Sequence, residues 1–371
     1  MSNPLGYDSK KLGFGMMRLP KLNGKDNIEL SKAMVDEFLR RGFKYFDTAY
    51  VYGDGENERT VKEVLVDRYP RESFWLTDKL PFWDTESAEE LPEIFEESLR
   101  RTGAGYFDVY LLHSLNKELY PKSEKFGAWD FLKELKKQGR IRHIAFSFHD
   151  TPELLDEILT KHPEAEAVQL QINYADWESE AVQSRRCYET ARKHGKPVII
   201  MEPVKGSALA MLSPAMREVF TNANPKASVA SWAVRFAASL EGVMVVLSGM
   251  SSMEQLVDNT TFMSDFRPLT DGERGTIAKV VDMMKGIATI PCTRCRYCVS
   301  ACPQGIDIPG AFEIYNDLLL FGDRSRAERK YKRIEDGRPS ACIACGSCME
   351  HCPQHIRIPD RLKDVTAELG D

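Results

Sequence analysis

Long apolar runs are missing from this 371-residue sequence, and none approaches the roughly 20 residues that cross a bilayer. The opening segment, MSNPLGYDSKKLGFGMM, is polar and charged where a secretory leader needs an apolar core, so the expected compartment is the cytoplasm. An excess of basic charge is missing too: 50 Lys and Arg stand against 56 Asp and Glu, for a net charge of −6. That leaves nucleic acid no electrostatic footprint. No G-x-G-x-x-G turn follows the first apolar run, which holds only Gly13 and Gly15. This argues against a doubly wound dinucleotide-binding sheet. Cysteine is scarce where a disulfide-stapled protein would spread it: of nine, only Cys187 lies outside 292–352. In a reducing compartment such crowding points to metal. The remaining composition, 43% hydrophobic and 29% charged, is that of a globular protein and excludes disordered, collagen-like or coiled-coil chains.

What is present is an alternation. Apolar runs occur at 11–17, 43–49, 74–79, 106–113, 141–147, 167–173, 197–202 and 242–248. Between most of them lie amphipathic stretches of helical period, such as 90–103, 129–139, 151–162 and 181–195. Thr151 before Pro152 reads as an N-cap with proline at the first helical position, and Gly139 and Gly195 read as helix stops. Strand–helix alternation implies parallel strands with helical crossovers. Eight repeats in this length predict a closed (β/α)8 TIM-type barrel over residues 1–285. Functional groups in such barrels sit at the C-terminal strand ends. Those ends read Asp47, Lys79, His113, Ser147, the Gln169–Asn173 segment, Glu202 and Gly249.

The stretch FDTAYVYGDGENE puts Asp47 at a strand end and Tyr52 in the loop that follows. A free tyrosine, with a pKa of about 10, is a poor proton donor at neutral pH. A lysine cation beside it favours the phenolate and lowers that pKa, and an aspartate keeps the lysine charged. A histidine can orient a carbonyl oxygen toward the phenol. Asp47, Tyr52, Lys79 and His113 together suit protonation of a carbonyl as hydride reaches its carbon. Tyr50 competes for the acid role.

On these residues the sequence resembles the aldo-keto reductase family over about residues 11–262. Its D-T-A-x-x-Y pattern is met by Asp47, Thr48, Ala49 and Tyr52, its lysine by Lys79 and its histidine by His113. The resemblance implies a nicotinamide cofactor, NADP(H) or NAD(H), and a small carbonyl or alcohol substrate. It places Ser147 and Gln169 at the nicotinamide amide and Met201 where an aromatic ring often stacks; Phe148 stands where an asparagine is usual. It assigns the cofactor's phosphates to the loop and helix at 248–259, with Gly249, Met250, Ser251, Gln255, Asp258 and Asn259 as contacts. Gly249 and Gln255 occupy positions that are often Lys and Arg, and no basic residue occurs from Ser248 until Arg267. That removes two common reasons for preferring NADP(H).

The spacing Cys292-x-x-Cys295-x-x-Cys298-x-x-x-Cys302-Pro is that of bacterial ferredoxins. It recurs fifty positions later as Cys342, Cys345, Cys348 and Cys352, with matching tails CPQGIDIP and CPQHIRIP. The duplication predicts two [4Fe–4S] clusters in a domain over 286–371. In two-cluster ferredoxins the fourth cysteine of each run serves the other cluster. The expected sets are therefore Cys292, Cys295, Cys298 and Cys352, and Cys342, Cys345, Cys348 and Cys302. Paired zinc knuckles fit such a run poorly. The long, helix-like linker at 310–337 resembles the α-helical dicluster ferredoxin domains of respiratory iron–sulfur subunits. Its run RSRAERKYKR carries six basic residues and one acidic, and reads as a solvated face or a dock for an acidic ferredoxin or flavodoxin.

Hydride moves two electrons together, whereas a cluster passes one. The sequence has no flavin motif, so a flavin between the two centres stays an unsupported option. Three readings follow: a reductase coupling nicotinamide or substrate to the clusters, a carbonyl reductase whose cluster domain is structural, and an NAD(P)H-binding redox sensor. All imply oxygen sensitivity and suit an anaerobic host. Trp83, Phe126 and Trp129 are candidates for an aromatic substrate pocket or for loop anchors. A homo-oligomer stays open.

Overall fold

The computed structural model describes residues 5–180, 182–292, 296–334, 336–352 and 354–370. Two compact units result: Met1–Val204 with Ala230–Thr270, and Lys205–Val229 with Asp271–Asp371. Among the described residues no helix is long and apolar enough to cross a membrane.

The first unit is a closed parallel barrel of eight strands. They are β1 (Leu12–Gly15), β2 (Tyr45–Asp47), β3 (Trp75–Leu80), β4 (Phe107–Leu115), β5 (Ile141–Phe148), β6 (Ala167–Gln171), β7 (Val198–Met201) and β8 (Val243–Ser248). Each apolar run of the sequence supplies one of them. Gly13 closes the ring, pairing with Tyr45 on one side and Leu247 on the other. A Cβ at Gly13 would lie 2.7 Å from Val245 Cγ1 and 2.8 Å from Leu247 Cδ2, so close packing of the interior requires glycine there.

Strand alternation sorts the side chains. On β2, Tyr45 joins a buried interior cluster with Leu5, Val109, Ile199 and Val245. Phe46 meets Phe14 and Phe38, the latter on the helix Ile28–Arg40. Asp47, two residues past Tyr45, returns to the interior at the open end. Tyr7 plugs the opposite end, its ring edge-on to Tyr45 and Trp75. The helix Pro152–Lys161 starts as expected, with Thr151 Oγ1 accepting from the Leu154 N–H, and Gly139 and Gly195 take left-handed φ values of 71° and 67°.

The described part of the second unit is helical, with no strand. The one-turn helices Tyr297–Ser300 and Ser347–Glu350 pack together, and Ile308–Phe321 and Ile358–Leu369 each follow a cysteine run. These pairs obey the fifty-residue repeat, including left-handed backbone at Arg296 and Gly346 and again at Gly305 and His355. The linker is two helices rather than one long stretch. Gly322 (φ 71°) ends the first, and Asp323 caps Arg324–Tyr331. The helices Pro214–Ala223 and Asp271–Lys285 also belong to this unit and pack on each other.

Candidate active site and cysteine cavities

Lys79 is fully buried at the open end of β3, and each of its three ammonium protons has an acceptor. Nζ donates to Asp47 Oδ1 at 2.6 Å, to the Thr48 carbonyl at 2.6 Å and to the Tyr52 hydroxyl at 3.2 Å. Tyr52 therefore receives a hydrogen bond from the lysine, which leaves its own O–H to donate elsewhere. The Asp47 carboxylate is steadied from across the barrel by Gln169 Nε2 at 3.2 Å. Behind the loop, Thr48 donates to Asn57 Oδ1 and Asn57 to the Met16 carbonyl, tying the tyrosine's loop to β1.

His113 stands beside Tyr52, with ring centroids 6.0 Å apart and planes at 79°. Burial, and then the charge of Lys79, push its pKa well below the usual histidine value, so the imidazole is neutral. Burial pushes Asp47 above the usual carboxylate value, while Lys79 pulls it back. Burial also opposes charge on Lys79, yet Asp47 and Tyr52 outweigh it, and its pKa lies above the ordinary one. For Tyr52 the sequence argument gives the lysine the larger effect. Burial is the larger, and the net direction is upward, because the closed pocket penalises a phenolate more than one cation at 3.2 Å relieves it.

The other expected contacts are spread unevenly. Ser147 Oγ is buried and accepts from the Ser114 N–H at 2.7 Å, keeping its own proton to donate. Gln169 spends its amide N–H on Asp47. Met201 ends β7, half-buried. Gly249 follows β8, Met250 is buried, and Ser252 caps the helix Met253–Ser264. The Gln255 side chain turns back to the Ser251 N–H at 2.8 Å, and Asn259 holds Ser248 Oγ at 2.7 Å. Asp258 lies on the same helix. The basic group missing from this segment arrives from elsewhere. Arg18, just after β1, packs over Gly249, and its carbonyl accepts from Ser251 Oγ at 2.6 Å. Its guanidinium reaches Glu202 at 3.9 Å. No local pattern marks it, because it lies 231 positions before Gly249.

Of the aromatic candidates, only Trp83 joins the site, 5.1 Å from the His113 ring. Trp129 is buried and stacks on His162 at 4.1 Å, and Phe126 is buried beneath Lys122 and Lys125. Both anchor loops. Tyr50 is held against Arg101, away from Lys79. Cys187 is buried in a helix, its thiol pushed up to about 12 by burial, which suits a structural role.

Two carboxyls lie buried together behind the lysine. Glu58 and Asp78 are both 0% exposed. Glu58 Oε2 accepts from Arg101 at 3.0 Å and Asp78 Oδ1 from the Lys79 N–H at 2.8 Å, while one oxygen on each lacks a donor. Burial, then the charge of Glu58, push Asp78 well above the carboxylate range. Raised in this way, Asp78 holds its proton to higher pH in the folded protein than it does unfolded. Unfolded, it loses that proton above about pH 4. The folded state then binds more protons, so this stabilisation is lost as pH rises, by up to about 1.4 kcal/mol per pH unit between the two pKa values. Asp78→Asn keeps the donor and removes the titration. Denaturant unfolding of the variant should show a flatter fall in stability with pH; an unchanged slope would mean that Asp78 is not raised.

In the second unit, Cys302, Cys342, Cys345 and Cys348 border one cavity. Cys292, Cys298 and Cys352 border another; Cys295 lies outside the described residues. Each cavity thus draws one cysteine from the run fifty residues away. Ile308 lines both, and the walls are otherwise largely apolar. Among the described residues no group of three ligating side chains closes on a single ion. Four thiols converging on one apolar-walled space suit a [4Fe–4S] cluster, and the three described thiols round the second suit its partner.

Comparison with known proteins agrees with both halves. The aldo/keto reductase family profile matches residues 11–282, and the profile of a 4Fe-4S dicluster domain matches residues 284–353. The chain belongs to the aldo/keto reductase family and carries a 4Fe-4S dicluster domain that follows the barrel in sequence. Among solved structures, a holo aldo-keto reductase of Bacillus halodurans superposes with a TM-score of 0.61 at 24% identity, over 74% of this chain and 93% of that one. An aldo-keto reductase of Klebsiella pneumoniae in complex with NADPH gives 0.60 at 19%, over 74% and 95%. These likenesses show the fold. Among curated relatives, the glyoxal reductase of Bacillus subtilis is 31% identical over 157 residues, 41% of this chain and 51% of that protein. The NAD/NADP-dependent indole-3-acetaldehyde reductase of Schizosaccharomyces pombe is 31% identical over 142 residues, 36% and 46%. The chain spans about half the length of the curated relatives it matches.

Proposed function

We propose that this protein is an NAD(P)H-dependent oxidoreductase of aldo-keto reductase type, acting on a small carbonyl or alcohol, with two [4Fe–4S] clusters coupled to the barrel site. The observation that carries the reading is the third hydrogen bond of Lys79, which leaves the Tyr52 hydroxyl free to donate. NAD(P)H, when bound, supplies hydride to the carbonyl carbon. Tyr52 gives its proton to the carbonyl oxygen as negative charge develops there. Lys79, held charged by Asp47, then faces the phenolate. His113, neutral, donates an N–H to the same oxygen. Ser147 holds the nicotinamide amide, and the helix start at Ser252, the 249–251 loop and Arg18 face the dinucleotide phosphates. The eight cysteines hold the clusters, which supply single electrons.

A structural role for the clusters is the second reading. It is favoured by the core of the second unit, in which Cys298 and Cys348 are buried with Ile308, Phe312 and Ile358 around the two cavities. One experiment separates the two. Protein purified anaerobically, with its iron counted, is reduced chemically, freed of reductant and given NADP+ and then NAD+. Absorbance at 340 nm should rise as the clusters reoxidise. No rise, with carbonyl turnover intact, would leave the structural role. No rise and no turnover on a carbonyl panel would overturn the reductase reading.

A further inference from the structure

Most large apolar side chains in the second unit are buried. Among the described residues, three of those left exposed sit inside the cysteine runs: Tyr297 at 62%, Ile343 at 62% and Met349 at 40%. Tyr297 and Met349 are on the two one-turn helices that pack together. Ile343 is both a wall of the Cys302–Cys342–Cys345–Cys348 cavity and a surface residue, and Cys345 is itself exposed. Exposed apolar groups that gather on one part of a domain mark an interaction site.

Charge says what the partner is. The basic run preceding Cys342 is only partly neutralised. Arg324 pairs with Glu368, and Arg326 and Lys330 pair with Asp317. Arg329, Lys332 and Arg333 are exposed, with no acidic partner among the described residues. Arg338, four residues before Cys342, donates to the Ile334 carbonyl and has no acidic partner among the described residues. Lys332 and Arg333 precede Ile343 by eleven and ten positions, and Gly337 between them packs on Gly305, next in the chain to Gln304 of the same cavity wall; an apolar spot with unpaired cations this near along the chain suits a small, acidic, weakly held protein. Electron-transfer encounters bury under about 1,200 Å² and rely on charge for their on-rate.

We propose that the face carrying Ile343, Cys345 and Met349 docks an acidic one-electron carrier protein, with Arg329, Lys332 and Arg333 steering it. The proposal rests on the reading that these thiols hold a redox cluster. One electron leaves the carrier, which is oxidised by one, and reduces that cluster by one; no bond forms and no proton moves.

The test uses the full holoprotein, anaerobic and iron-counted, with a strongly acidic plant-type [2Fe–2S] ferredoxin as probe. Binding is measured by titration calorimetry at low and high salt, and cluster reduction by stopped flow. The double variant Lys332→Glu/Arg333→Glu should weaken binding about tenfold or more at low salt, equivalent to at least about 1.4 kcal/mol, and flatten its salt dependence. Met349→Glu should weaken it comparably. Iron content, and the rate of reduction by methyl viologen radical, a small cation needing no docking face, should match the parent in both. Equal ferredoxin binding by all three proteins would overturn the proposal. So would self-association of the parent through this face that Met349→Glu abolishes, because a second copy would then be the occupant. If ferredoxin docks and reduces the clusters while no nicotinamide is reduced at 340 nm, the dock stands and the coupling to the barrel falls.

Discussion

Tyr52→Phe should lower carbonyl reduction by about 10²–10⁴-fold, the usual worth of a positioned general acid, while the iron count stays at the parent value. The substitution removes one oxygen. Lys79 keeps Asp47 and the Thr48 carbonyl as acceptors, so its charge stays compensated and the strand ends stay in place. The loss should fall on kcat, because the proton is needed only as charge develops on the carbonyl oxygen. Cofactor affinity, read by nicotinamide fluorescence, should change little. If turnover survives at more than about a tenth of the parent rate, well above the loss expected for a general acid, Tyr52 is not the acid. Tyr50 would not inherit the role without rearrangement, since it is engaged with Arg101.

Cys302→Ala should cost about half of the bound iron, one cluster of two, and the cluster lost should be the one held by the second cysteine run. Double variants make this decisive. Cys302 borders the same cavity as Cys348, so Cys302→Ala/Cys348→Ala should lose no more iron than either single change. Cys302→Ala/Cys298→Ala removes a thiol from each cavity and should lose nearly all of it. The reverse pattern would mean that each run holds its own cluster.

Much of this architecture was legible in the sequence because its signals are local. A parallel strand buried on both faces must be a short apolar run, and eight such runs became eight strands. The cysteine spacing and its fifty-residue copy announced the dicluster domain. The polar residue at each run's end announced the mouth of the barrel. Phe126 and Trp129 were ambiguous for the opposite reason: an aromatic in a long loop looks alike whether it lines a pocket or anchors the loop. Packing on His162 and under two lysines made them anchors. The break at Gly322 is local as well: a glycine stop followed by the Asp323 cap divides the helical linker in two.

The sequence by itself determined the fold class, which polar residues end the barrel strands and the spacing of the thiols, because strand period, loop length and ligand spacing are written in consecutive residues. Only the tertiary structure decided what those residues do to one another. It brought Arg18 to Gly249, and Gln169 across the barrel to Asp47. It buried Asp78 against Glu58, which pushes Asp78 well above the carboxylate range. It also made burial outweigh the lysine at Tyr52, because electrostatic cost depends on how much water is excluded around a group, and no stretch of sequence states that.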